Sequence, residues 1–224
     1  MNESFAREEI CRVGKSLFAR GYLHASAGNI SVRLDDGFLI TPTDACLGFL
    51  DPARLTRLDA DGQHVSGDRG SKTIALHTRI YRSTQGFAVP PRCLIHSHSS
   101  HCVALTLLPH GSELLAPVTP YFVMKVGHVP VIPYHFPGDP QAAGQVAQAI
   151  ERYAAHGIEL RAVMLARLGP QVWHATPAAA MATLEELEET ARLCATAAAP
   201  IAPLNAAQID DLRRVFGAQW RDLT

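Results

Sequence analysis

Two histidines one residue apart, His96 and His98, stand near the end of the run Cys93-Leu94-Ile95-His96-Ser97-His98-Ser99-Ser100-His101. The apolar opening reads as a strand and the Ser/His-rich close as a turn. Side chains alternate along a strand, so the two imidazoles share one face, about 6.6 Å apart along the backbone. Such a pair can hold one divalent cation at about 2.0–2.1 Å from each ring nitrogen, although a catalytic zinc usually takes three protein ligands. The plainer alternative is two strand histidines bonded to backbone carbonyls.

The elements that must position this pair follow from the apolar pattern. Phe5, Ile10, Val13 and Leu17 predict a helix over Ser4–Arg20, stopped by Gly21. A small-residue turn, His24 to Asn29, leads into Ile30–Arg33, and Asp35-Asp36-Gly37 folds the chain back through Phe38–Thr41. After a loop from Pro42 to Pro52, a second hairpin is expected around Leu58 and Val65, with Asp61-Gly62 at its turn. Gly70 is read as opening a helix through Ile74, His77 and Tyr81. Beyond the histidine run come a helix capped by Ser99 or Ser100 and reaching Leu107, a strand over Val129–Tyr134, and a helix from Asp139-Pro140 to Ala155. A buried strand over Ala162–Ala166, a helix from Thr176-Pro177 to Thr196, and a last helix over Ala206–Phe216 complete the chain. The expectation is one α/β domain over residues 1–224, a central, mostly antiparallel sheet flanked by helices.

Composition narrows the function classes. The chain has 224 residues, 47% hydrophobic and 18% charged, with 20 Lys+Arg against 21 Asp+Glu, which suits a globular protein and not a nucleic-acid-binding surface. No apolar run reaches membrane-spanning length, and Met-Asn-Glu-Ser lacks the pattern of a signal peptide. Five scattered cysteines without a CxxC point to reduced thiols, and the expected location is the cytoplasm.

Several stretches occur in a telling order: Ser26-Ala27-Gly28-Asn29-Ile30-Ser31, Thr41-Pro42-Thr43, Ser71-Lys72 and His96-x-His98. Together they resemble the class II aldolase/adducin family, which contains L-fuculose-phosphate aldolase and L-ribulose-phosphate 4-epimerase. Cys46-Leu47-Gly48, Thr119-Pro120-Tyr121, Pro137-Gly138-Asp139 and Glu185-Glu186-Leu187-Glu188-Glu189-Thr190 resemble its 3-oxo-tetronate 4-phosphate decarboxylase branch. The resemblance implies a lyase that acts on a small phosphorylated sugar or sugar acid and uses a divalent metal, usually zinc, held by His96 and His98. It also implies a phosphate cup from Ser26, Gly28, Asn29, Thr43, Ser71 and Lys72, catalytic positions at Thr73 and Tyr121, and a homotetramer with sites between subunits. Small residues and a helix start suit an anion, and Lys72 adds a cation. Ser26 and Asn29 are also ordinary turn formers, Ser71 an ordinary cap, Lys72 an ordinary surface lysine.

Three positions depart from the family pattern. Thr73 stands where relatives carry the acid/base glutamate. Arg167-Leu168-Gly169-Pro170 stands for Asn-His-Gly-Pro, so Leu168 replaces the third metal ligand. Asp44 replaces a glycine after Thr43, bringing a negative charge and a side chain that resists left-handed backbone. His101 and His174 are the substitute ligands considered; His77 is read as a core residue, and the Glu185–Glu189 cluster as a solvated helix face. The alternative to an enzyme is a non-catalytic family member that keeps the fold and binds a ligand.

Overall fold

Helix α1 (Glu3–Ala19) starts at Asn2, whose side-chain oxygen accepts the Phe5 N–H at 2.8 Å and satisfies one of the donors that a helix start leaves open. Its buried stripe is Ala6, Ile10, Val13 and Leu17. Phe5, expected on that stripe, is 51% exposed. It lies five residues before Ile10, roughly 140° round the helix, whereas Ala6 lies four before it.

This computed structural model describes residues 1–221, so the last three residues of the expected domain lie outside it. The chain divides into two units, Met1–His98 with Trp173–Met181, and Ser99–Val172 with the residues from Ala182 onward. In the first unit, β1 (Asn29–Arg33) pairs with β2 (Gly37–Ile40), and β3 (Thr56–Asp59) pairs with β2 and with β4 (His64–Ser66). After α2 (Ile74–Ser83), β5 (Cys93–His96) pairs with β1, and every pair in the order β4-β3-β2-β1-β5 is antiparallel. Both expected hairpins are present.

The α2 helix starts later than expected. Gly70 forms a β-bridge with Pro42, Thr43 N–H donates to Arg69 O at 2.9 Å, and Ser71 N–H donates to Thr41 O at 3.2 Å. A segment whose backbone is paired in this way cannot also start a helix, so the first turn waits until Ile74.

The later chain carries α3 (Ser100–Leu105), β6 (Val131–Ile132), α4 (Pro140–Ala154), β7 (Ala162–Leu165), β8 (Gly169–His174), α5 (Pro177–Thr196) and α6 (Ala206–Phe216). β6 and β7 are parallel, β7 and β8 antiparallel. The Asp139-Pro140 start of α4 is as read, with Asp139 accepting the Gln141 N–H at 2.9 Å. Strand β8 went unread because Gly169-Pro170 signals a loop; yet its first five residues are buried, and Pro170 sits near the strand start, where a missing N–H is tolerated. α3 stops at Leu105, short of Leu107, and β6 is only two residues long. The strand pairs are mostly antiparallel, as expected of this α/β fold.

One buried polar chain ties α2 to β1. His77 Nδ1 lies 2.7 Å from Ser31 Oγ, which lies 3.0 Å from the Tyr81 hydroxyl, and that hydroxyl donates to Ser31 O at 3.1 Å. His77 is the hydrogen-bonded core residue that its place on the apolar face predicts. Burial, and then the nearby His96, pull its pKa from 6.5 down to about 3. The folded state therefore holds His77 neutral while the unfolded chain protonates it, so stability falls as pH drops from about 6.5 toward about 3. The slope approaches about 1.4 kcal/mol per pH unit. Urea denaturation from pH 6.5 to 5.0 should cost the native protein about 2 kcal/mol more than His77→Gln; equal losses would contradict this account.

Candidate active site

His96 ends β5 and is buried; His98 follows two residues later. Their ring centroids are 5.0 Å apart, edge to face at 65°. Two imidazoles sharing one tetrahedral ion stand roughly 5 Å apart by centroid, so the pair has the separation a divalent metal requires. Burial, and then neighbouring His24, hold His98 below its ordinary pKa, which keeps a ring nitrogen lone pair available. His24 itself was given no role from the sequence. Its ring lies 6.1 Å from that of His98. His24 stands at the head of the turn into Asn29, the residue that pairs with His96, a proximity that spacing in the sequence does not signal. Among the described residues, no three His, Cys, Asp or Glu side chains already surround one point.

Gly28 brings this turn against β5. It has φ +86°, and a Cβ there would lie 2.7 Å from His96 O and 2.6 Å from Leu23 Cδ2. Only glycine allows so close an approach. One residue on, Asn29 Nδ2 donates to Thr73 Oγ1 at 3.3 Å, and Ser71 Oγ donates to the same oxygen at 3.2 Å. Thr73 Oγ1 thus accepts twice, and its own proton is left for a further acceptor. Asn29 is buried, and its Oδ1 has no partner among the described residues, an expensive arrangement unless a ligand or water supplies a donor. The Pro42–Gly70 bridge sets Thr43 beside the Ser71 segment. Asn29, Thr43, Ser71 and Thr73 are therefore gathered near one corner, while Ser26 and Lys72 are exposed.

The substitute ligands fare differently. His174 O accepts the N–H of Arg92, just before the first residue of β5, so His174 stands at the opposite end of that strand from His96, about 13 Å along it. Its Nδ1 also accepts the Ala175 N–H at 2.8 Å. His101 Nδ1 is 2.9 Å from Glu188 Oε1, which also accepts the His101 N–H at 3.0 Å; Oε2 accepts the Cys102 N–H at 3.0 Å. Glu188 is therefore not part of a solvated face. It is 9% exposed and satisfies the start of α3, where Ser99 makes no side-chain capping bond. Leu168 lies in the β7–β8 turn, its N–H donating to Leu165 O at 3.0 Å, and offers no donor atom to a metal. Tyr121 is 63% exposed, because the π-helical turn that follows buries Phe122, Val123 and Val126 instead.

Comparison with known proteins supports the motifs. The pattern described as "Class II Aldolase and Adducin N-terminal domain" matches residues 8–195. The chain is 49% identical to the 3-oxo-tetronate 4-phosphate decarboxylase of Cupriavidus necator, covering 97% of this chain and 99% of that one. It superposes on the crystal structure of YgbL from Escherichia coli, an aldolase/epimerase/decarboxylase by its description, with a TM-score of 0.84 and 39% identity over 94% of this chain and 99% of that one. An L-fuculose 1-phosphate aldolase shares the fold at a TM-score of 0.82 and 22% identity, covering 97% and 98% of the two chains.

Asp44 adopts the left-handed conformation, at φ +57°, with its carboxylate exposed. Aspartate is among the few residues besides glycine that tolerate this region, so the turn survives and the charge remains. Replacing Asp44→Gly should tighten the binding of inorganic phosphate roughly fivefold by removing that charge, as measured by calorimetric titration. Unchanged affinity would place the anion away from the Thr43 loop.

Proposed function

Because the chain belongs to the class II aldolase and adducin family, we propose that it is a carbon–carbon lyase that decarboxylates a 3-oxo-tetronate 4-phosphate. The observation that carries this reading is its likeness, over almost its whole length, to a relative bearing that name. The imidazole pair at the end of β5 supports it. We read residues 1–224 as one such domain.

In this reaction the bond between C1 and C2 breaks, C1 leaves as CO2, and the electron pair passes into the C2–C3 unit as an enediolate. Protonation at C2 then gives dihydroxyacetone phosphate. The family is divalent-metal-dependent, and His96 and His98 fit such an ion, by our reading zinc. When bound, it would supply Lewis-acid stabilisation of the negative oxygens. The chain's own groups do the rest. The unpartnered Asn29 Oδ1 accepts from a substrate hydroxyl, and the remaining Thr73 hydroxyl proton is donated to a substrate oxygen. Thr73 is no base near neutral pH, but a β-keto acid loses CO2 without prior removal of a hydroxyl proton, and water can protonate C2. Phosphate is held by the Ser26–Asn29 turn, Thr43, Ser71 and the mobile cation of Lys72.

Tyr121 is exposed and so open to a second copy of the chain, which supports a tetramer with sites between subunits. No helix among the described residues is long and apolar enough to cross a membrane. The free cysteines support a reducing cytoplasm. Thr73 and Leu168 favour one other reading, a binding protein that keeps the corner without turnover.

Supplied with 3-oxo-tetronate 4-phosphate and zinc, the protein should release CO2 and dihydroxyacetone phosphate in equal amounts. His96→Ala should abolish turnover, while Lys72→Ala should raise KM about tenfold with kcat within about twofold. Unchanged turnover in His96→Ala would contradict the mechanism. Binding of the substrate without any product would favour the binding protein.

A further inference from the structure

The residues from Leu204 to Arg221 wrap back onto the stretch between Pro117 and His128, and both belong to the second unit. Leu204 N–H donates to Pro117 O at 2.8 Å. Farther along, Trp220 is buried and its ring stacks on that of His128, with centroids 4.0 Å and planes 20° apart. His128 is itself held in place: its Nδ1 lies 3.1 Å from Glu113 Oε1, and its Nε2 lies 2.9 Å from Arg221 O. Glu113 also accepts from the Tyr153 hydroxyl and, at 2.9 Å, from the Val129 N–H. Arg213 Nε donates to Trp220 O at 2.6 Å and closes the strap.

Besides His128, the Trp220 ring meets Phe122, at 6.0 Å between centroids. Phe122 opens the π-helical turn Phe122–Val126, in which the Gly127 N–H donates to Phe122 O at 2.9 Å across five residues. Such turns are rare and gather at functional sites, and contacts from outside must hold this one. At its other end Arg161 Nη1 donates to Met124 O at 3.0 Å and to Lys125 O at 3.2 Å. The turn is therefore gripped twice, by Trp220 on its first ring and by Arg161 on its last carbonyls. Phe122 is fully buried, whereas Tyr121, the residue just before it, is 63% exposed.

We infer that Trp220 is a positioning residue: by clamping Phe122 it fixes where the Tyr121 hydroxyl stands. The inference rests on the reading of Tyr121 as a residue that serves the lyase site of a second copy. It adds a part that lies beyond residue 195, where the family match ends. A reacting group displaced by about 1 Å loses much of its contribution, even when the displacement starts far from the chemistry.

The test pairs Trp220 with Tyr121 in turnover of 3-oxo-tetronate 4-phosphate by the full chain with zinc. Trp220→Leu should lower kcat about tenfold with KM within about twofold, and Trp220→Phe, which keeps a ring against His128, should restore most of that loss. Arg213→Met, which frees Trp220 O from outside the core, should act in the same direction with a smaller effect. Tyr121→Phe should lower kcat about tenfold, and adding Trp220→Leu to it should cost no more than about a further twofold, because the hydroxyl being positioned is gone. A second measurement needs no turnover: 19F NMR of protein carrying 3-fluorotyrosine, with the Tyr121 line assigned by its absence in Tyr121→Phe. That line should shift and broaden in Trp220→Leu and return in Trp220→Phe. An unmoved line, or losses that multiply in the double variant, would overturn the inference and leave the lyase reading standing. Native turnover in Tyr121→Phe would overturn it together with the role of Tyr121. No product from the native protein would overturn the lyase reading and the inference with it.

Discussion

The pairing of β1 with β5 sets Asn29 opposite His96 and Ser31 opposite Leu94, and the candidate site depends on that register. A slip of one residue would turn each side chain of β1 to the other face of the sheet. Asn29 would leave Thr73, Ser31 would leave His77, and the turn that carries His24 would move away from His98. Two features hold the register. Ile30 and Val32 are fully buried beside Cys93, Leu94 and Ile95. Gly28 lies so close to the His96 carbonyl that no side chain fits between them. The same constraint therefore positions the imidazole pair and the polar corner.

Charge explains why the altered corner still suits its proposed substrate. Burial keeps His77 and His98 neutral, so the ring nitrogens present lone pairs and not positive charge. Thr73 brings no negative charge next to Asn29 and Ser71, and its hydroxyl proton is left as a donor. A sugar acid phosphate carries negative charge at both ends, and a corner with fewer carboxylates repels it less. Asp44 works in the opposite sense, from an exposed position on the neighbouring loop.

Much of this was legible in the sequence, because local rules decided it. The closeness of His96 and His98 followed from their spacing, although β5 ends at His96 and His98 lies beyond it; the Asp139-Pro140 start followed from capping, and the two hairpins from their turn residues. The family followed from motifs in order. The errors arose where distant contacts overrode local signals. Gly70 and Ser71 looked like a helix start until their backbone paired with the Thr41–Thr43 segment. Glu188 looked solvated until it met the start of α3, 86 residues away in sequence. β8 hid behind a Gly-Pro signal that its neighbour β7 outweighs. His24 could not be found from spacing at all; it joins His98 only through the β1–β5 register, with Asn29 opposite His96.

The central claim is that bond cleavage between C1 and C2 proceeds with Thr73, and no carboxylate, at position 73, with water as the source of the proton at C2. Turnover of 3-oxo-tetronate 4-phosphate in D2O, followed by NMR, addresses it directly. The account predicts dihydroxyacetone phosphate carrying one deuterium at the hydroxymethyl carbon, formed in step with CO2. Substrate that stays intact beyond its spontaneous rate of decarboxylation would contradict it.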